Sequence, residues 1–112
     1  MKVNNLLQTE HFQLISDDSG IENDVHGIFA SDLLSHVMGF ANEKNILVTV
    51  LNNINVLGVA SLLDLSCVIF AHNITVNEKV INKSNELNIP LIRTKLSTSE
   101  TVITLHQLGV ND

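Results

Sequence analysis

The sequence has no tryptophan and no tyrosine, one cysteine, one proline and five glycines in 112 residues. Each scarcity excludes something. A single thiol, Cys67, permits no internal disulfide and fits a reducing compartment. No glycine-rich loop runs into Lys and Ser or Thr, and no dinucleotide-binding glycine triplet occurs, so the phosphate cradles of ordinary kinases and dehydrogenases are missing. Six basic residues stand against twelve acidic ones, a formal charge of −6, and no stripe of Lys or Arg could neutralise successive phosphates; nucleic acid is not an expected partner. No apolar stretch approaches the ~20 residues that span a bilayer. The opening MKVNNLLQTE lacks a signal-peptide pattern, which points to a cytoplasmic protein without a membrane partner.

What is present is Val, Ile and Leu. The apolar fraction of 45% includes only four Phe, the composition of β-branched parallel strands covered by helices. From Asn45 to Thr94 the chain reads strand, helix, strand, helix, strand: NILVTVL, NNINVLGVASLLDL, SCVIFA, TVNEKVINKSNELN, PLIRT. For residues 53–63 a hairpin through Asn52 and Asn53 is the rival reading. The helix is preferred because the segment exceeds ordinary strand length and runs straight into a better strand.

Around this core, Lys2 to Thr9 reads as a short helix and His11 to Ser16 as a strand, ended by the turn formers Asp17 to Gly20. Val25 to Phe29 reads as a further strand interrupted by Gly27. Ser31 is a good N-cap, Asp32 suits the positive end of a helix dipole, and Leu33, Leu34, Val37, Met38 and Ala41 make an apolar stripe. Thr75 with Glu78, and Ser97 with Glu100, have capping-box spacing. Asn88 and Gly109 are the stops, and the last helix presents Val102, Ile103, His106 and Leu108. The expected architecture is α/β: a three-layer α/β/α sandwich on a mostly parallel sheet of about five strands, forming one domain over residues 1–112.

Parallel sheets bind ligands outside the carboxyl ends of their strands. That rule selects Asn52, Asn53, His72, Asn73 and Thr94 as candidate ligand-binding residues. Gly27, Ser31 and Asp32 join them, because a glycine before a helix start exposes backbone N–H groups and a hydroxyl suited to an anion. No catalytic residue and no metal ligand is named. Five histidines show no paired short spacing, and Cys67 lies in an apolar strand, where thiols are inert.

The run VHGIFASDLLSHVMGFA, with the apolar strand, Asn-rich turn and ASLLDL that follow and IPLIRT near the end, resembles the DRTGG domain family. That module is similar to the N-terminal domain of HPr kinase/phosphorylase and occurs in some phosphotransacetylases and beside CBS domains. The likeness runs from Lys2 to Val110. Of the Asp-Arg-Thr-Gly-Gly motif only Gly27 matches a glycine, while Asp32, Leu33 and Leu34 match the helix start. The resemblance implies a fold and a regulatory or ligand-sensing role, with catalysis located in other domains. The leading expectation is therefore a noncatalytic module, homodimeric, binding a nucleotide or phosphorylated small molecule and serving a partner enzyme; the cofactor, if any, is unknown. A small enzyme using His72, Asn52, Asn53 and Thr94 on a phosphorylated substrate is the alternative. A purely structural support for a kinase or a hydrogenase-related protein is the third reading.

Overall fold

The computed structural model describes residues 1–111 and contains α1 (Val3–Leu6), β1 (Gln13–Leu14), β2 (Ile28–Ala30), α2 (Leu34–Phe40), β3 (Ile46–Thr49), α3 (Asn55–Leu62), β4 (Cys67–Phe70), α4 (Glu78–Leu87), β5 (Leu91–Arg93) and α5 (Thr98–Gln107). Strand order is β1-β5-β4-β3-β2, with β2 to β5 parallel and β1 antiparallel at one edge. The expected mostly parallel five-stranded sheet is what the chain forms. β3 and β4 are buried at every residue, which is why ILVT and CVIF carry no polar alternation.

Because each parallel strand lies beside its predecessor, α2, α3 and α4 all cover one face. There Val37, Val56, Leu57, Ala60 and Val80 pack on Leu47, Val68 and Leu91. The opposite face is covered by α1 and α5, through Val3, Leu6 and Leu105 on Ile46, Val48, Ile69 and Ile92. The sheet has helices on both sides, and residues 53–63 form a helix rather than a hairpin.

Several local expectations change. The ladder in the second strand runs over Ile28–Ala30 rather than Val25–Phe29. Gly27 precedes it in a left-handed conformation, φ +81°, which side chains with a Cβ avoid. Ser31 is not an N-cap. Its N–H still donates to Val48 O at 3.1 Å, extending the strand, and its Oγ accepts from Leu33 N at 3.1 Å, so helix α2 starts three residues later without a side-chain cap. Of the α2 stripe, Leu34, Val37 and Ala41 pack inward, whereas Leu33 and Met38 are 58% and 50% exposed. Leu34, Val37 and Ala41 are spaced three and four apart, and a seven-residue helix packed on the sheet's edge buries only that narrow line.

At α4 the cap is Asn77, whose Oδ1 accepts from Val80 N at 3.1 Å, not Thr75. Asn88 ends that helix in the left-handed region, and Ser97 with Glu100 forms a complete capping box on α5. The buried line of α5 is Thr101 and Leu105, with Ile103 57% exposed and His106 at the surface. Thr101 was hidden in the sequence by its polarity; its hydroxyl is satisfied by donating to Ser97 O at 2.7 Å.

Candidate functional site

The carboxyl ends of the four parallel strands bring most of the sequence candidates to one edge of the sheet, in two groups. At β2 and β3, Asp32 is turned away from its own helix. Its Oδ1 accepts from Thr49 Oγ1 and from Val50 N, both at 2.8 Å. A carboxylate that follows β2 thus takes two donors at the end of β3 that would otherwise be left to water, joining the ends of the two strands. Asn52 continues the tie outward, its Nδ2 donating to Thr75 O at 2.6 Å, while Asn53 Oδ1 accepts from Asn55 N at 2.9 Å to start α3. These side chains already have internal partners.

At β4 and β5 the arrangement is different. β4 feeds α4 on one face of the sheet and β5 feeds α5 on the other, so the two connections diverge and the strand ends between them are uncovered. His72 and Asn73 follow β4 as consecutive left-handed residues, φ +59° and +54°, a conformation that Asn and His tolerate better than most residues. Their amides are stitched to the β5 loop, His72 N donating to Leu96 O and Asn73 N to Thr94 O, both at 2.8 Å. Thr94 is buried, and its Oγ1 accepts from Leu96 N at 3.2 Å, fixing the loop's shape.

The His72 ring points away from this loop. Its Nε2 accepts from Thr98 N at 3.3 Å, at the first turn of α5. Glu100, the capping-box carboxylate of the same turn, has its pKa held below the ordinary carboxylate range by hydrogen bonds from the Ser97 backbone and side chain. His72 therefore helps to hold the helix start, with an amide rather than a carboxylate on its nitrogen.

Asn73 and Thr94 instead line a polar hollow of about 180 Å³ beside the β1–β5 edge, together with His11, Arg93, Lys95 and Glu10. Arg93 sits opposite Gln13 in the antiparallel register, and one guanidinium nitrogen donates to Gln13 Oε1 at 3.5 Å. Sequence reasoning missed Arg93, Lys95 and His11. The antiparallel return of β1 beside β5 carries no signal in a 2-residue strand.

Gly27 lies elsewhere. It precedes β2, at the amino end, and its carbonyl accepts from Ile46 N at 3.0 Å; Ser31 follows the other end, about 13 Å along at ~3.3 Å per residue, with Asp32 beyond it. A second groove, about 470 Å³, also lies away from the loops, between β2 and α5, lined by Ile28, Ala30, Val102 and Ile103, with His106, Gln107 and Asn111 among its polar side chains. Its walls suit apolar groups rather than a phosphate. Cys67 is fully buried, and burial pushes its thiol pKa up to about 12, so it is not a nucleophile. Among the described residues no three His, Cys, Asp or Glu side chains are placed to hold a metal, and no helix is long and apolar enough to cross a membrane.

The strand order, the helices on both faces, the hydrogen-bonded strand-end loops and the polar hollow at the β1–β5 corner together define a small α/β domain. The chain belongs to the DRTGG domain family, whose model matches residues 7–108. Its fold is similar to a crystal structure of the CBS and DRTGG domains of the regulatory region of Clostridium perfringens pyrophosphatase, complexed with the activator diadenosine tetraphosphate. The TM-score is 0.73 at 17% identity, over 93% of this chain and 45% of that one. The chain thus spans less than half the length of that relative. No curated protein matches it.

Proposed function

We propose that this DRTGG domain is a noncatalytic regulatory module that senses a nucleotide or another phosphorylated metabolite in the cytoplasm and passes the signal to a partner enzyme. The observation that carries the reading is the corner at β4 and β5, where Arg93, Lys95 and Asn73 converge while His72 is engaged by the Thr98 amide. Cationic and amide donors at one corner suit the oxygens of an anion, and the one hydrogen bond of the His72 ring at this corner is from an amide rather than to a carboxylate. The similar pyrophosphatase region, regulatory and crystallised with a nucleotide activator, supports the same class of ligand. The alternative, a small enzyme centred on His72, Asn52, Asn53 and Thr94, is disfavoured by the same hydrogen bonds, which commit these four to loop and helix termini.

Self-association is part of this proposal. Leu33, Met38 and Phe40, beside the sheet's β2 edge, are all at least half exposed, so packing against a second copy would cover these apolar side chains. A thermal-shift screen of nucleotides and phosphorylated metabolites tests the ligand half. Saturation at ~100 times the dissociation constant adds about 2.7 kcal/mol of stability, and a flat response to every compound would contradict ligand sensing.

A further inference from the structure

Three of the six Lys and Arg residues are neutralised by carboxylates: Lys2 by Asp24 at 2.8 Å, Lys44 by Asp64 at 3.0 Å and Lys83 by Glu86 at 3.4 Å. The other three, Lys79, Arg93 and Lys95, have no carboxylate within 4.0 Å among the described residues. Two of those three, Arg93 and Lys95, line the same hollow. In a chain with twice as many acids as bases, two adjacent unpaired cations concentrate positive potential at one corner of an acidic surface.

The rest of the hollow suits an anion with several oxygens. Arg93 is steadied by its single bond to Gln13, leaving most of its planar fork of donors unused. Asn73 and His11, residues with side-chain N–H groups, also line it, and the backbone beneath is fixed by the Asn73–Thr94 bond. At about 180 Å³ the space falls below the ~300 Å³ at which pockets begin to enclose whole ligands. It admits a group, with the remainder of the molecule outside. Glu10 is the one opposing charge on the wall.

We infer that this hollow is the phosphoryl subsite of the ligand-sensing module, gripping a terminal phosphate of a nucleotide or metabolite between Arg93 and Lys95. The inference rests on the ligand-sensing reading and adds the place and the contacts. Glu10 weakens the site and thereby sets its affinity for dianions.

Amide-detected NMR titration of the full chain with inorganic phosphate and with AMP, at constant ionic strength held by sodium chloride, reads the site directly. Asn73, Lys95 and Leu96 amides and the Arg93 Nε–H shift saturably. Arg93→Gln and Lys95→Gln each weaken binding about tenfold, as expected for loss of a charge-assisted contact. Lys79→Gln, at the third unpaired cation, leaves it unchanged, and Glu10→Gln tightens it several-fold. Dispersed spectra of each variant establish that it is folded. Binding of phosphate or AMP that survives the combined Arg93→Gln and Lys95→Gln change, or shifts confined to other loops, would overturn the subsite while leaving ligand sensing intact. If neither probe binds, the subsite is overturned, and the broader metabolite screen then decides the parent reading separately.

Discussion

At the scale of single residues, conformation and burial separate positions that look alike in sequence. Gly20 and Gly58 are both glycines in polar or mixed surroundings. Gly20 has φ +83°, and a Cβ there would lie 2.3 Å from Asn88 O and 2.9 Å from Pro90 Cδ; Gly58 sits inside α3, where an added Cβ would meet no neighbouring atom within 4 Å. Gly20→Ala is expected to destabilise by about 1–3 kcal/mol and Gly58→Ala to stabilise by about 0.5–1 kcal/mol, opposite signs in one urea-denaturation series. Cys67 gives a pH signature. Its pKa is raised to about 12 by burial, so above the unfolded thiol's pKa the unfolded chain releases a proton that the folded chain keeps. Stability then falls as pH rises from ~9 towards 12, by about 1.4 kcal/mol per unit. Cys67→Ala lowers stability at neutral pH by opening a cavity but loses that share of the alkaline slope; equal slopes for the two proteins between pH 9 and 11 would refute the assignment.

Among the elements, legibility followed the strength of local signals. The almost wholly apolar strands β3 and β4 stood out because burial on both faces leaves little room for polar residues, and the Ser97–Glu100 box is written in side chains whose partners lie within the same turn. The start of α2 was not legible. Ser31 and Asp32 have the chemistry of a helix cap, but the sheet claims them first: Ser31 stays in the ladder, and Asp32 crosses to Thr49 and Val50. Long-range partners decide such positions, and sequence spacing cannot record them. At α4, Thr75 and Asn77 were both chemically capable caps, and only backbone geometry chose Asn77. Asp32 is thus a strand tie. Asp32→Ala is expected to cost about 1–2 kcal/mol through two lost hydrogen bonds and to speed amide hydrogen exchange at Val50 first; Asp32→Asn, which keeps an acceptor, costs less.

For the whole molecule, the candidate site divides as the topology divides. Asn52, Asn53, His72, Asn73 and Thr94 were placed by the general rule that parallel strands end at a common edge, and they do share that edge. Their separate duties depend on where each connection goes next; the cations Arg93 and Lys95 meet Asn73 because β4 and β5 end side by side, and His11 joins them because β1 folds back antiparallel beside β5. The other sheet edge carries the proposed contact between copies. Phe40 is 67% exposed there, and Phe40→Glu is expected to convert a dimer to a monomer in size-exclusion chromatography with light scattering at high micromolar concentration, with stability changed by no more than about 0.5 kcal/mol. A wild-type monomer under the same conditions would contradict self-association.

Binding without turnover at the β4–β5 corner can be read by ³¹P NMR of the full chain incubated for hours with a nucleotide or phosphorylated metabolite selected by thermal shift. A saturable shift or broadening of the ligand's own phosphorus resonances is expected, lost in the combined Arg93→Gln and Lys95→Gln variant, with no new phosphorus species formed. New phosphate or exchanged-phosphoryl resonances growing in proportion to protein, and abolished by His72→Ala, would contradict binding without turnover.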